Sequence, residues 1–236
     1  MVSLIDQEGT KEFLSYLDHW MSELPELSLK ILAENPEKVA IISVDVIQGF
    51  CYQGPLSSPR VAGIVTPIVE LMKAGWEHNI RHILLCQDTH DPQAVEFSSW
   101  PPHCVRGTDE AQTVEEFKQL PFFNQFVLFE KNSIASGLNK DLQAWTQKHP
   151  EVDKYIVVGD CTDLCTYQLA MFLRLDANER QLQREVFLPE NFTQTYDMRV
   201  ETAKEIGAYP HPGDFLHALF LYHMALNGVT VIKSIK

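Results

Sequence analysis

The sequence lacks the features that would place it in a membrane or on nucleic acid. None of its apolar runs is long enough to span a bilayer. Its first stretch, MVSLIDQEGTKEFLSYLDHW, has no basic segment followed by an apolar one, so no export signal is expected. Lysine and arginine number 19 against 32 acidic residues, a net charge of -13. This acidity disfavours a broad surface for nucleic acid or anionic lipid, but not a small substrate.

Cysteine is also scarce, and no CxxC pair occurs. The five cysteines are Cys51, Cys86, Cys104, Cys161 and Cys165. A paired-cysteine metal site and a disulfide framework are therefore both unexpected. Together with the absent export signal, this pattern predicts a cytoplasmic protein with reduced thiols.

What the sequence does contain is an alternation of short apolar runs and amphipathic stretches. The apolar runs are rich in β-branched residues, which is typical of strands buried on both faces of a parallel sheet. We predict about six strands, at 39–45, 82–88, 126–131, 155–160, 185–190 and 229–233. Helices are predicted at roughly 60–78, 110–119, 137–148, 163–181 and 213–227. This order predicts a single-domain α/β fold with an open parallel sheet and helices on both faces.

The segments outside this alternation are harder to place. Residues 1–37 have apolar residues at helical spacing, broken by Pro25 and Pro36, and are interpreted as a helical extension packed on a core domain of residues 38–236. The stretch 192–214 is predicted to mix loop and helix. We expect the acidic domain, with these additional helices, to form a homo-oligomer.

Polar residues follow the predicted strands at the points where the strands end. Asp45, Asp88 and Lys131 end the first three strands, and Asp160 ends the fourth, just before Cys161 and Cys165. The carboxyl ends of parallel strands share one edge of a sheet, where ligands bind. One such residue alone is usually a helix cap, a turn former or a solvated side chain, and a cap or turn former is the favoured interpretation for Asp160 and for Asp163. Four strand ends together predict an active site.

Cys165 is the candidate nucleophile of that site. A helix is expected to begin near Thr162 or Asp163, and its free N–H groups and dipole would lower the thiol pKa from about 8.5 toward neutrality. Asp45 could accept the thiol proton, and Lys131 could hold the two charged groups in place. The three side chains form a coherent set for acyl transfer, whereas Cys161 is more useful for its backbone N–H.

A loop after the second strand predicts a metal site. QDTHDPQAVEFSSWPPHC carries a mixed nitrogen and oxygen ligand set that suits a divalent metal, with zinc preferred over manganese or iron. The candidate ligands are Asp88, His90, Glu96 and His103. A polar loop without metal is an equal alternative on these residues alone. Trp100 and Phe50 are candidate aromatic walls for a flat substrate, although Phe50 could be an ordinary core residue.

Four motifs together resemble the cysteine hydrolases of the isochorismatase-like superfamily, and the SSWPPHC segment resembles its nicotinamidase branch. The motifs are SVDVIQGFC, QDTHDPQAVEFSSWPPHCVRGT, FEKNSIASG and VVGDCTDLCT. The resemblance covers roughly residues 38–190. It implies hydrolysis of nicotinamide to nicotinate and ammonia through a cysteine thioester.

The resemblance also implies roles for individual residues. Asp45, Lys131 and Cys165 match the catalytic triad of the family. The bond between Asp160 and Cys161 matches a cis peptide that directs the N–H groups of Cys161 and Cys165 at an oxyanion. Matches to the metal ligands of the family fall on Asp88, His90, Glu96 and His103. Phe50 and Trp100 match the residues that flank the pyridine ring of the substrate, whose nitrogen the metal binds in that family.

Two alternatives stay open at this point. The chain could hydrolyse another small amide or carbamoyl compound. It could also be a silent binding member of the fold, although a binding protein needs no activated thiol.

Overall fold

The apolar runs of the sequence form the strands of an open parallel sheet. The structure is a computed structural model that describes Ser3 and residues 8–236. Its strands are β1 (Glu26–Leu27), β2 (Val39–Val44), β3 (His82–Asp88), β4 (Val127–Lys131), β5 (Lys154–Asp160), β6 (Glu185–Pro189), β7 (Thr193–Gln194), β8 (Thr230–Ile232) and β9 (Ser234–Ile235).

The order of the strands places the candidate residues at a reversal in the sheet. The main sheet runs β4-β3-β2-β5-β6-β8, with β7 paired to β5, and its pairs are parallel. From β2 the chain moves outward through β3 to β4, and β5 then returns to the other side of β2. Such a reversal is where ligands bind in open α/β sheets. The predicted fold class is confirmed.

Helices cover both faces of this sheet. They are α1 (Glu8–Ser22), α2 (Leu29–Leu32), α3 (Gln48–Cys51), α4 (Pro59–Ala62), α5 (Val65–Glu77), α6 (Glu115–Lys118), α7 (Lys140–Lys148), α8 (Cys165–Arg180), α9 (Val200–Ile206) and α10 (Gly213–Leu226). On β2, Ile41 packs into the core on one face with Ile68 of α5. Ile42 packs on the other face with Leu169 of α8. This two-sided burial explains the unbroken apolar character of the strand.

Two predicted helices differ from the structure. The helix predicted over 60–78 is divided between α4 and α5, because Pro67 has no N–H to pair with the carbonyl of Gly63. The helix predicted over 110–119 is reduced to the short α6 and a 3-10 turn at Asp109–Ala111. Between them the backbone is extended, since Thr113 forms an antiparallel bridge with Ile47.

The described part of the N-terminal segment contacts the core through α1 and β1, among other residues. Phe13, Tyr16 and Trp20 of α1 surround the ring of Tyr222 on α10, with centroid distances of 5.3, 5.9 and 5.5 Å. The strand β1 pairs with β9 near the end of the chain. A separate extension over residues 1–37 stays a prediction, as do the homo-oligomer and the cytoplasmic location. Within residues 8–236 no helix combines the length and apolarity of a bilayer crossing.

Candidate active site and metal centre

Asp45, Asp88 and Lys131 meet at the carboxyl edge of the sheet. Asp88 and Lys131 are register partners at the ends of β3 and β4. Asp45 follows β2 directly, and its φ of 55° puts it in the left-handed region. Its carboxylate Oδ1 accepts a hydrogen bond from the backbone N–H of Asp88 at 2.7 Å. An aspartate held in this sparsely populated conformation at a strand end is typical of a functional position.

Lys131 is a buried ammonium shared by the two carboxylates. Its Nζ lies 2.7 Å from Asp45 Oδ2 and 2.6 Å from Asp88 Oδ1. Burial alone would lower the pKa of Lys131, but the charges of Asp45 and Asp88 outweigh it and raise the pKa well above its ordinary value. The lysine is therefore a fixed positive charge and is not a proton donor at neutral pH.

Cys165 completes this cluster. Its Sγ and one carboxylate oxygen from each of Asp45 and Asp88 lie within 4.8 Å of one another. Burial and the charge of Asp88 raise the pKa of Asp45 to about 6, a value at which a carboxylate can both accept and return a proton near neutrality. Four of the predicted site residues are thus brought together, although the first and last of them, Asp45 and Cys165, are 120 positions apart in the chain.

The expectation of a lowered thiol pKa is wrong for this resting site. Burial raises the pKa of Cys165 well above its ordinary value, although the charge of Lys131 acts in the opposite direction. The sulfur therefore rests as a neutral thiol beside an ionised Asp45. The thiol proton would then move to Asp45 while the sulfur attacks a substrate, and a thiolate in the resting protein is not required.

The turn from β5 into α8 presents Cys165 at the edge. Gly159 has a φ of 117°, and a Cβ there would lie 2.0 Å from the Val44 carbonyl oxygen, so only glycine lets the two strands approach. The bond between Asp160 and Cys161 is a cis peptide. Among the described residues, the N–H groups of Cys161 and Cys165 have no hydrogen-bond acceptor.

Neither Asp160 nor Asp163 caps the helix, although Asp163 lies in the turn that precedes it. The helix α8 begins at Cys165, later than predicted, and its cap residue Leu164 makes no side-chain bond. Asp160 is buried, and its Oδ2 accepts a hydrogen bond from the Cys161 thiol at 3.4 Å. Burial and the charge of Asp45 raise the pKa of Asp160 well above its ordinary value.

A second cluster at the same edge fits a metal ion. Asp88, His90 and His103 each offer a ligand atom within 4.8 Å of the others. The Nδ1 of His103 donates to the Pro101 carbonyl at 2.8 Å, which leaves its Nε2 lone pair free. The Nε2 of His90 is buried and has no hydrogen-bond partner. Oriented imidazoles with free inner nitrogens are typical of divalent metal sites.

The remaining predicted site residues lie around these ligands. Glu96 Oε1 is 4.0 Å from His90 Nε2, at the margin of the cluster. Phe50 is buried with its ring centroid 5.7 Å from that of His103. Trp100 is partly exposed, and its backbone N–H donates to the Glu96 carbonyl at 3.1 Å. The aromatic pairs found within residues 8–236 do not join Trp100 to Phe50.

Sequence reasoning missed two residues that position the candidate metal ligands. Asn132 Oδ1 accepts from His90 Nδ1 at 3.2 Å and from the Asp91 N–H at 2.9 Å. Phe97 packs edge-on against His90 and His103, with centroid distances of 5.4 and 5.7 Å. The position of Asn132 directly after a strand-end lysine was the signal that could have identified it.

A buried network from the C-terminal part of the chain anchors the turn that leads to Cys165, and it too was missed. Asp163 Oδ2 is 2.7 Å from His211 Nε2, and Asp163 Oδ1 accepts from Thr195 Oγ1 at 2.6 Å. Thr162 Oγ1 is 2.7 Å from His217 Nδ1. Partners this far apart in the chain carry no local sequence signal.

Comparison with known proteins agrees with this geometry. Residues 39–195 match the isochorismatase domain family. Nicotinamidase 1 of Arabidopsis thaliana is 27% identical over 220 residues, which covers 87% of this chain and 89% of that protein. A cysteine hydrolase from Pseudomonas syringae pv. phaseolicola 1448A has a similar structure, with a TM-score of 0.69, 20% identity, and coverage of 85% of this chain and 90% of that one.

A third protein adds a metal to the comparison. The pyrazinamidase of Pyrococcus horikoshii, solved in complex with zinc, has a TM-score of 0.64 and 21% identity, and covers 83% of this chain and 99% of that one. The match over residues 39–195 spans more than half of the sequence. The chain therefore belongs to the isochorismatase family, and within it the chain is a hydrolase that resembles the nicotinamidases.

Proposed function

We propose that the chain hydrolyses nicotinamide to nicotinate and ammonia, with Cys165 as the nucleophile. The observation that carries the proposal is the meeting of a thiol, a carboxylate and an ammonium at one buried edge, beside histidines with free inner nitrogens. The nicotinamidase name of the Arabidopsis relative supports the choice of amide.

Acylation begins with the proton of Cys165. As the sulfur adds to the carboxamide carbon, Asp45 accepts the thiol proton and the carbonyl oxygen becomes an oxyanion. The N–H groups of Cys161 and Cys165, which have no acceptor among the described residues, would hold that oxyanion. Asp45 then returns the proton to the amide nitrogen, the C–N bond breaks, and ammonia leaves behind a thioester.

Deacylation repeats the same proton path with water. Asp45 accepts a proton from water while the water oxygen adds to the thioester carbon. The C–S bond then breaks, the proton passes back to the sulfur, and nicotinic acid leaves and loses its remaining proton to solvent to give nicotinate. Lys131 keeps Asp45 in place through both halves, because its ammonium is anchored from the other side by Asp88.

Asp88, His90 and His103 would hold the divalent metal, with Glu96 at the margin of the set. A bound metal supplies a Lewis-acidic position for the pyridine nitrogen and so orients the ring. We propose zinc, which the Pyrococcus horikoshii neighbour holds and which suits a mixed nitrogen and oxygen set, over manganese or iron. Phe50 and Trp100 are proposed to flank the ring.

Ammonia release tests the catalytic proposal. Purified protein should free ammonia from nicotinamide, and the Cys165→Ala variant should not. Cys86→Ala is the matched control, because Cys86 is equally buried but lies within β3. Equal turnover by Cys165→Ala would remove this residue from the mechanism. Ammonia from other amides in a panel, but none from nicotinamide, would favour a related cysteine hydrolase.

Metal content tests the ligand set. His103→Ala should lose metal from the active site, as measured by elemental analysis after dialysis. His78→Ala removes a surface histidine whose Nδ1 faces the Ala74 carbonyl instead, and it should keep the metal. Full occupancy of this site in His103→Ala would show that the ligand set is wrong.

A further inference from the structure

Three potential metal ligands meet at the opposite edge of the sheet. His82 is the first residue of β3, His149 directly follows α7, and Glu151 lies in the connection that leads to β5. Because parallel strands begin at the edge opposite to the one where they end, this cluster is remote from Asp45 and Cys165. The proposed hydrolysis makes no use of it.

The three side chains are arranged closely enough to share one ion. Each offers a ligand atom within 4.8 Å of the other two. His149 Nδ1 is 2.9 Å from Glu151 Oε1, and the rings of His82 and His149 have centroids 5.0 Å apart. A proton can bridge the His149–Glu151 pair, but a separation of this size also suits two ligands of one metal with bonds of about 2.0–2.2 Å.

The cluster is packed on one side and open to solvent on the other. His82 and His149 are both partly buried. Trp145 packs against both histidines, with centroid distances of 5.3 Å to His82 and 4.3 Å to His149. Glu151 is exposed, which leaves the outer side of the cluster open to water ligands.

We propose that His82, His149 and Glu151 form a second metal site, which takes a divalent transition cation such as Zn²⁺, Ni²⁺ or Cu²⁺. A set of two imidazoles and one carboxylate binds such ions in preference to magnesium or calcium. The bound ion would join the end of α7 and the approach to β5 to the start of β3. It would therefore stabilise the fold without taking part in the reaction.

Zinc stoichiometry of the full chain tests this site, with equilibrium dialysis against zinc as the measurement. The wild-type protein should bind two ions. Glu151→Gln, a conservative change at an exposed position, should weaken one of them by about tenfold or more, and His149→Ala should do the same. Both variants should keep the activity of the wild type, and His78→Ala should keep both ions.

The outcome is separable from that of the proposed function. His103→Ala should still bind one ion, and adding Glu151→Gln to it should weaken that remaining ion. Two ions in a chain that leaves nicotinamide intact would support this site and overturn only the hydrolysis. Unchanged zinc binding in both Glu151→Gln and His149→Ala would overturn the second site.

Discussion

Replacing Lys131 by methionine removes the cation that contacts both Asp45 and Asp88. The two carboxylates are 1% exposed and the lysine side chain 3% exposed, so water cannot take over its role. Methionine keeps most of the volume of the side chain, and the packing of the site should change little. What changes is the charge, because two buried carboxylates are left side by side with no ammonium between them.

The expected cost follows from this burial. Breaking a buried ion pair by removal of one partner costs about 3–5 kcal/mol, since an uncompensated charge stays behind. In a chain of this size that corresponds to a fall in Tm of roughly 6–20 °C. The double variant Asp45→Asn/Lys131→Met removes one carboxylate as well. Its loss of stability should be smaller than the sum of the two single losses by a coupling energy of about 0.5–3 kcal/mol.

Urea unfolding of chelator-treated protein measures these free energies without a metal that could replace the lost charge. The control is Lys73→Met, which removes an exposed ion pair with Glu70 and should cost less than about 1 kcal/mol. A Lys131→Met variant as stable as Lys73→Met would refute the interpretation of Lys131 as a buried, shared counterion.

Three further predictions concern the strand contact, the buried network and the metal. Gly159→Ala should cost more than about 4 kcal/mol of unfolding free energy, or prevent folding. In the control Gly107→Ala no atom lies within 4 Å of the added Cβ, so the cost should be only about 1–3 kcal/mol of backbone strain. Urea unfolding measures both values. Burial opposes the shift, but His211 and Thr195 lower the pKa of Asp163. This carboxylate therefore contributes stability above its unfolded pKa of about 3.9, and that stability is lost as the pH falls through the folded pKa. The loss of unfolding free energy in Asp163→Asn should accordingly be full at neutral pH and shrink in acid. Chelation should raise the KM for nicotinamide in the ammonia assay, and added zinc should restore it; an unchanged KM would contradict a role of the metal in holding the ring.

The fold and the core of the site could be predicted because their signals are local. Apolar runs mark buried strands, and Asp45, Asp88 and Lys131 directly follow or end theirs, so topology alone brings them to one edge. The strand β7 was not predicted, since a two-residue strand has no periodicity to detect.

Other features depend on long-range contacts that no local pattern records. The Asp163–His211 pair joins residues 48 positions apart, whereas the local pattern predicts a cap that Asp163 does not form. The helix end alone predicts a lowered thiol pKa for Cys165, whereas burial in the folded site raises it. In both cases tertiary surroundings outweigh the local tendency.

Trapping the acyl-enzyme tests the central claim most directly. Protein mixed with nicotinamide, quenched in acid within a single turnover and digested, should carry a nicotinoyl group on the peptide that contains Cys165, as read by mass spectrometry. The Cys165→Ala variant should carry none. A nicotinoyl group found on another residue, or turnover with no acylated peptide at any quench time, would contradict the account.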